Sequence, residues 1–141
     1  MMQIYLLSIA YLLLGAGILL SDAYGGRYAL LLSLRYLFRT NRFFLKVLII
    51  IGFALSLALG FFPMAPGPRL LGDLIPMANT LLLTIWYAFH ALRHSDEDDQ
   101  VQEKSVLEAT GQYFEKNKRN LGIITSIVAL LHFLVPMSVL L

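Results

Sequence analysis

Between Met1 and Leu20 the chain carries no charged side chain, and three more long apolar stretches follow it. This pattern restricts the fold more than any other feature, because a helix needs about 20 mostly apolar residues to cross the hydrocarbon of a bilayer. The four stretches fall at about residues 1–20, 44–62, 70–92 and 121–141. A soluble domain of 141 residues has too little interior to hide them. Of all residues, 58% are hydrophobic and 14% charged, against roughly 45–50% and 25% in soluble domains. The expected fold is an all-α integral membrane protein: one membrane domain, residues 1–141, with four transmembrane helices. The first stretch lacks a basic lead-in and a clear small-residue cleavage site, so it is read as a span and not as a signal peptide.

Lysine and arginine give the orientation. Arg27, Arg35, Arg39, Arg42 and Lys46 lie between the first and second stretches, Arg69 alone between the second and third, and Arg93, Lys104, Lys116, Lys118 and Arg119 between the third and fourth. The first and third connections are therefore expected in the cytoplasm, with both termini periplasmic or extracellular (N-out, C-out). The expected location is a bacterial plasma (inner) membrane.

Within "GGRYALLLSLRYLFRTNRFFLK" (25–46), Arg35, Arg39, Arg42 and Lys46 recur at i, i+4, i+7 and i+11. On one helix they form a single stripe. Each would cost about 2.5–3.5 kcal/mol at mid-bilayer, so the stretch is not a span. It is read as a basic amphipathic interfacial helix over about 27–43, running on into the second span. The stripe has three readings: attachment to anionic lipid headgroups or a partner, simple obedience to the positive-inside rule, or pairing with the acidic run "SDEDD" (95–99). The third connection reads as a cytoplasmic helix over about 96–117, capped by Ser95 and either ending there or running on into span four, with acids at its start and cations at its end. "HSDEDD" offers metal-ligand types, but its spacing does not fit a calcium loop, and a capped helix start explains it better. No metal is expected.

Inside a membrane, polar side chains are the functional candidates. Counting 1.5 Å per residue from the cytoplasmic boundaries puts Ser56 at a depth of roughly 15 Å, His132 at roughly 18 Å, and Asn79 and Thr80 at roughly 20 Å. These four residues form an expected midplane polar layer, with His132 meeting Asn79 or Thr80. It is either a hydrogen-bonded packing network or a polar site centred on imidazole, which is suited to handling protons. Asp73, Thr84 and Tyr87 join Thr80 as a stripe descending from the outer boundary, with Pro76 beside it freeing the carbonyl of Gly72. Gly52, Ser56 and Gly60 form a small-residue helix-packing face whose partner is in this chain or another. His90 and His132 lie at different depths, which argues against a bis-imidazole haem, and His90 is expected to anchor at the interface.

With no cysteine, disulfides, thiol catalysis and iron–sulfur clusters are excluded. No cofactor, catalytic residue or nucleic-acid partner is expected. The favoured reading is a non-enzymatic subunit or scaffold component of a membrane complex, with lipids and other subunits or further copies of itself as partners. The alternative is an oligomeric transporter or channel for a small solute, ion or proton, built on the midplane layer. An interfacial lipid-modifying enzyme is the third reading.

Overall fold

The computed structural model describes residues 2–61, 73–95 and 104–135. These residues hold five α-helices and no strand: α1 (Met2–Tyr24), α2 (Ala29–Thr40), α3 (Arg42–Phe61), α4 (Leu74–Ser95) and α5 (Lys104–Leu134). Three of them contain stretches long and apolar enough to cross a membrane, at Gln3–Tyr24, Arg42–Phe61 and Leu74–Leu92. In α5 the polar half that starts at Lys104 is continuous with the apolar stretch that starts at Leu121. The end of the fourth apolar stretch, 136–141, lies outside the described residues.

The helices pack antiparallel in sequence order. A side chain at Gly52 of α3 would meet Thr84 of α4, and one at Gly60 would meet Met77, which sets α3 and α4 running in opposite directions. On α1, Tyr5 meets His132, Leu20 meets Gly122 and Asp22 meets Lys118, so α1 and α5 are antiparallel. Gly15 meets Leu83 and Tyr87, and α1 runs parallel to α4. The firmest contacts are α1 on α5 and α3 on α4. Of the described helices, α1 alone touches all the others.

Apolar side chains cover the surface as well as the core, and several polar ones are buried. Phe43, Ile50, Phe53, Leu57 and Phe61 of α3 are exposed, while Ser8, Ser56, Thr80, Thr84, Thr125 and His132 are buried. Water would penalise such a surface, and a bilayer would not. Close approach then depends on small residues that let backbones meet. Gly52 is the clearest case: the Tyr11 hydroxyl and Thr84 Oγ1 occupy the space its Cβ would need. The small-residue face of α3 is thus used within this chain, against α1 and α4.

The basic stretch folds differently from its expected form. The helix stops at Thr40, and a new one starts at Arg42. The hinge is Asn41, whose backbone is extended (φ −104°, ψ 96°). Its Oδ1 accepts a hydrogen bond from the Phe44 N–H at 3.1 Å, an N-cap that satisfies a donor α3 would otherwise leave free. The four-charge stripe is therefore divided, with Arg35 and Arg39 on α2 and Arg42 and Lys46 on α3. Upstream, α1 ends at Tyr24, and a Cβ on Gly25 would collide with the Ser21 carbonyl, so only glycine fits that turn.

Two further expectations change. Ser95 is the last residue of α4 and not the cap of a following helix, while 96–103 lies outside the described residues. Pro76 falls in the first turn of α4, where no intrahelical N–H bond would exist, so it breaks nothing inside the helix.

Candidate functional site

The polar residues of α4 form a buried column. Asp73, only 5% exposed, stands at the N-terminus of α4, where its carbonyl accepts the Met77 N–H at 3.0 Å. Asn79, Thr80, Thr84 and Tyr87 follow along the buried face. The column ends near His90, whose ring stacks on Phe38 with centroids 4.7 Å apart. From Asp73 to His90 it climbs about 25 Å at the helical rise.

Halfway along, Tyr11 of α1 donates to the Leu48 carbonyl of α3 at 3.1 Å and lies 3.3 Å from Thr84 Oγ1. Thr84 spends its own proton on the Thr80 carbonyl at 2.8 Å, so the Tyr11 proton is shared between its two acceptors. Thr125 of α5 donates to Asn79 Oδ1 at 3.4 Å. At the far end, the Tyr5 hydroxyl donates to the His132 carbonyl at 2.6 Å, filling an acceptor that the end of α5 would leave open. The Tyr5 and His132 rings lie 4.7 Å apart.

Several groups in the column have no partner. Asn79 Nδ2, Thr80 Oγ1, the Tyr87 hydroxyl and both ring nitrogens of His132 are buried without a hydrogen-bond partner among the described residues. An orphaned buried polar atom costs about 1–3 kcal/mol. These groups are buried and keep hydrogen-bonding capacity that a water or a ligand would satisfy.

The other end of the bundle carries an ionic cluster. The Asp22 carboxylate accepts Arg35 Nε at 2.9 Å and Arg39 Nη2 at 3.2 Å, and also meets Lys118 Nζ. Lys118 is shared with Glu115 Oε2 at 2.8 Å. Trp86, His90 and Phe38 complete a small recess around these charges. Phe38 lies flat on Trp86, with centroids 5.3 Å apart and planes 3° apart. Arg35 and Arg39 of the expected stripe thus turn in on Asp22. The "SDEDD" segment beyond Ser95 lies outside the described residues. Large apolar side chains of α2 are also exposed, with Leu30 at 70% and Tyr36 at 71%.

A protein-family model matches this chain over residues 1–132, and that family has no known function. The chain belongs to that family. No curated protein and no solved structure matches it.

The expected polar layer is partly assembled. The α3–α4 register, with 52 opposite 84 and 60 opposite 77, sets Ser56 level with Thr80 and next to Asn79 in height. His132 does not join them. Thr125 is the α5 residue that meets Asn79, and His132 lies seven residues further on, about 10 Å away along the axis. That places it level with Asp73, which stands within electrostatic range of the same Tyr5 that packs on His132. His90 sits in the ionic recess. The residues not singled out from sequence are Asp22, Tyr5 and Thr125. Asp22 carried a signal: it is the sole acid between the first span and the basic stretch.

Proposed function

We propose that this chain is a four-span membrane protein whose bundle provides a pathway for a small polar solute or ion. The observation that carries this reading is the buried polar column on α4, in which Asn79 Nδ2, Thr80 Oγ1 and the Tyr87 hydroxyl have no partner among the described residues. The height of α5 supports the fourth span, since its Thr125 is level with Asn79 and its His132 with Asp73. A helix at those heights lies in the same layer as α1, α3 and α4. The division of lysine and arginine supports a cytoplasmic location for α2 and the start of α5, with both termini outside a bacterial plasma membrane. The test is flux: purified protein in liposomes is expected to pass at least one of protons, alkali cations or small uncharged solutes faster than protein-free vesicles. Equal rates for all of them would remove the reading.

A second reading, as a non-enzymatic component of a membrane assembly, draws on α2. Its arginines are paired with Asp22, and Leu30, Leu32, Tyr36 and Leu37 are exposed. Recovery of a stoichiometric second protein in mild detergent would favour it, and recovery of this chain alone would count against it.

A further inference from the structure

The geometry points to protons as the species carried, along a hydrated path from Asp73 and His132 at the outer end to the Asp22–His90 recess at the cytoplasmic end. This inference rests on the pathway reading above. It adds the identity of the carried species and the residues that hold its route.

Three observations define the route. First, the column covers about 25 Å, most of a hydrocarbon core that is about 30 Å thick. Second, it is narrow. Its middle is a single file of side chains, Thr80, Thr84, Tyr11 and Tyr87, with the Tyr11 hydroxyl pressed against Gly52. Side chains packed this closely do not pass a hydrated cation or an organic solute, whereas a proton needs only hydroxyls and single bridging waters. Third, the unpaired atoms supply what single waters need. A buried water makes about three hydrogen bonds to otherwise unsatisfied groups. Asn79 Nδ2, Thr80 Oγ1 and the Tyr87 hydroxyl are such groups, all on the buried side of α4.

Titratable side chains stand at both ends. At the outer end these are Asp73 on α4, His132 on α5 and Tyr5 on α1. At the inner end His90 of α4 shares its recess with Asp22 of α1 and Glu115 and Lys118 of α5, and with Arg35 and Arg39 of α2. In between, Tyr11 and Tyr87 contribute hydroxyls, with their rings 6.2 Å apart edge to face. Lys46 of α3 points to the exterior and lies off the route.

The step itself is a relay. A proton joins the outermost water held near His132, and each water in turn passes one proton inward. The last proton leaves to bulk water through the recess. Only O–H bonds break and form, one for one, so no co-reactant is consumed. Thr80 and Asn79 act as positioning residues that hold the waters in file.

The test uses the full chain in liposomes with a trapped pH dye, an imposed pH step, and valinomycin with potassium to clamp the voltage. Uptake of sodium and light-scattering responses to glycerol and urea are measured on the same vesicles. Proton flux several-fold above protein-free vesicles is expected, falling most of the way to background in Thr80→Val and in Asn79→Leu. Each variant is checked for helicity and a single size-exclusion peak, and either one that folds suffices. Proton flux absent while sodium, glycerol or urea passes would overturn the proton assignment and leave the pathway reading standing. No flux of any species would remove both. Wild-type proton flux that a folded variant leaves unchanged would overturn the column as the route.

Discussion

At Gly52 a single added methyl group would occupy the space that the Tyr11 hydroxyl and Thr84 Oγ1 now fill. Overpacking of this kind costs about 1–3 kcal/mol, and displacing the Tyr11 bond to Leu48 adds about 1 kcal/mol. Gly52→Ala is therefore expected to lower the thermal midpoint in detergent clearly. Gly26→Ala, which points into open space, should stay within about 0.5 kcal/mol of the parent. Equal midpoints for the two variants would mean that α1 does not approach α3 so closely. The sequence marks Gly52 as a packing residue through its spacing with Ser56 and Gly60. It does not say that a tyrosine hydroxyl from another helix fills the notch, because that depends on the height at which α1 lies against α3.

At the scale of one element, α2 is held by charge and stacking. Asp22 gathers Arg35, Arg39 and Lys118, and Phe38 lies between the Trp86 and His90 rings and the rest of α2. Partly exposed ion pairs contribute about 0–1 kcal/mol each. Asp22→Asn should therefore loosen α2 without unfolding the bundle. Hydrogen exchange of the α2 amides is expected to quicken by roughly three- to tenfold, with α4 amides unchanged. The pair Asp22→Asn and Lys118→Gln should show non-additive effects, since one contact is removed twice. Additive effects would mean that Lys118 does not share Asp22. The amphipathic character of α2 is legible in the sequence, but the direction of its charged edge is not. Its arginines had a free choice between headgroups and an internal carboxylate, and Asp22 decides that choice only once α1 has brought it alongside.

At the scale of the whole molecule the orientation has a direct test, helped by the absence of native cysteine. Introduced one at a time, Gln3→Cys and Ser138→Cys are expected to react with an impermeant maleimide added outside intact cells. Gln112→Cys should react only after permeabilisation. Labelling of Ser138→Cys on the same side as Gln112→Cys would mean that α5 turns back without crossing, and the four-span reading would fall.

The apolar stretches by themselves determined that the chain is helical and suited to a membrane, because only bilayer solvation accommodates runs of that length and composition. Spacing within the third stretch also marked Asp73, Thr80, Thr84 and Tyr87 as one face, because helical periodicity is a local property. Heights between helices are not local. Depth counted along each helix from its own cytoplasmic boundary sets His132 beside Asn79. The packing of α1 on α5 sets His132 at the level of Asp73 and gives Asn79 to Thr125. A break at Asn41, where the side chain caps α3 at 3.1 Å, likewise divides a stripe that a continuous helix would have kept whole. Which polar groups ended up facing one another unpaired was settled by the register of four helices, and no single segment of the chain contains that information.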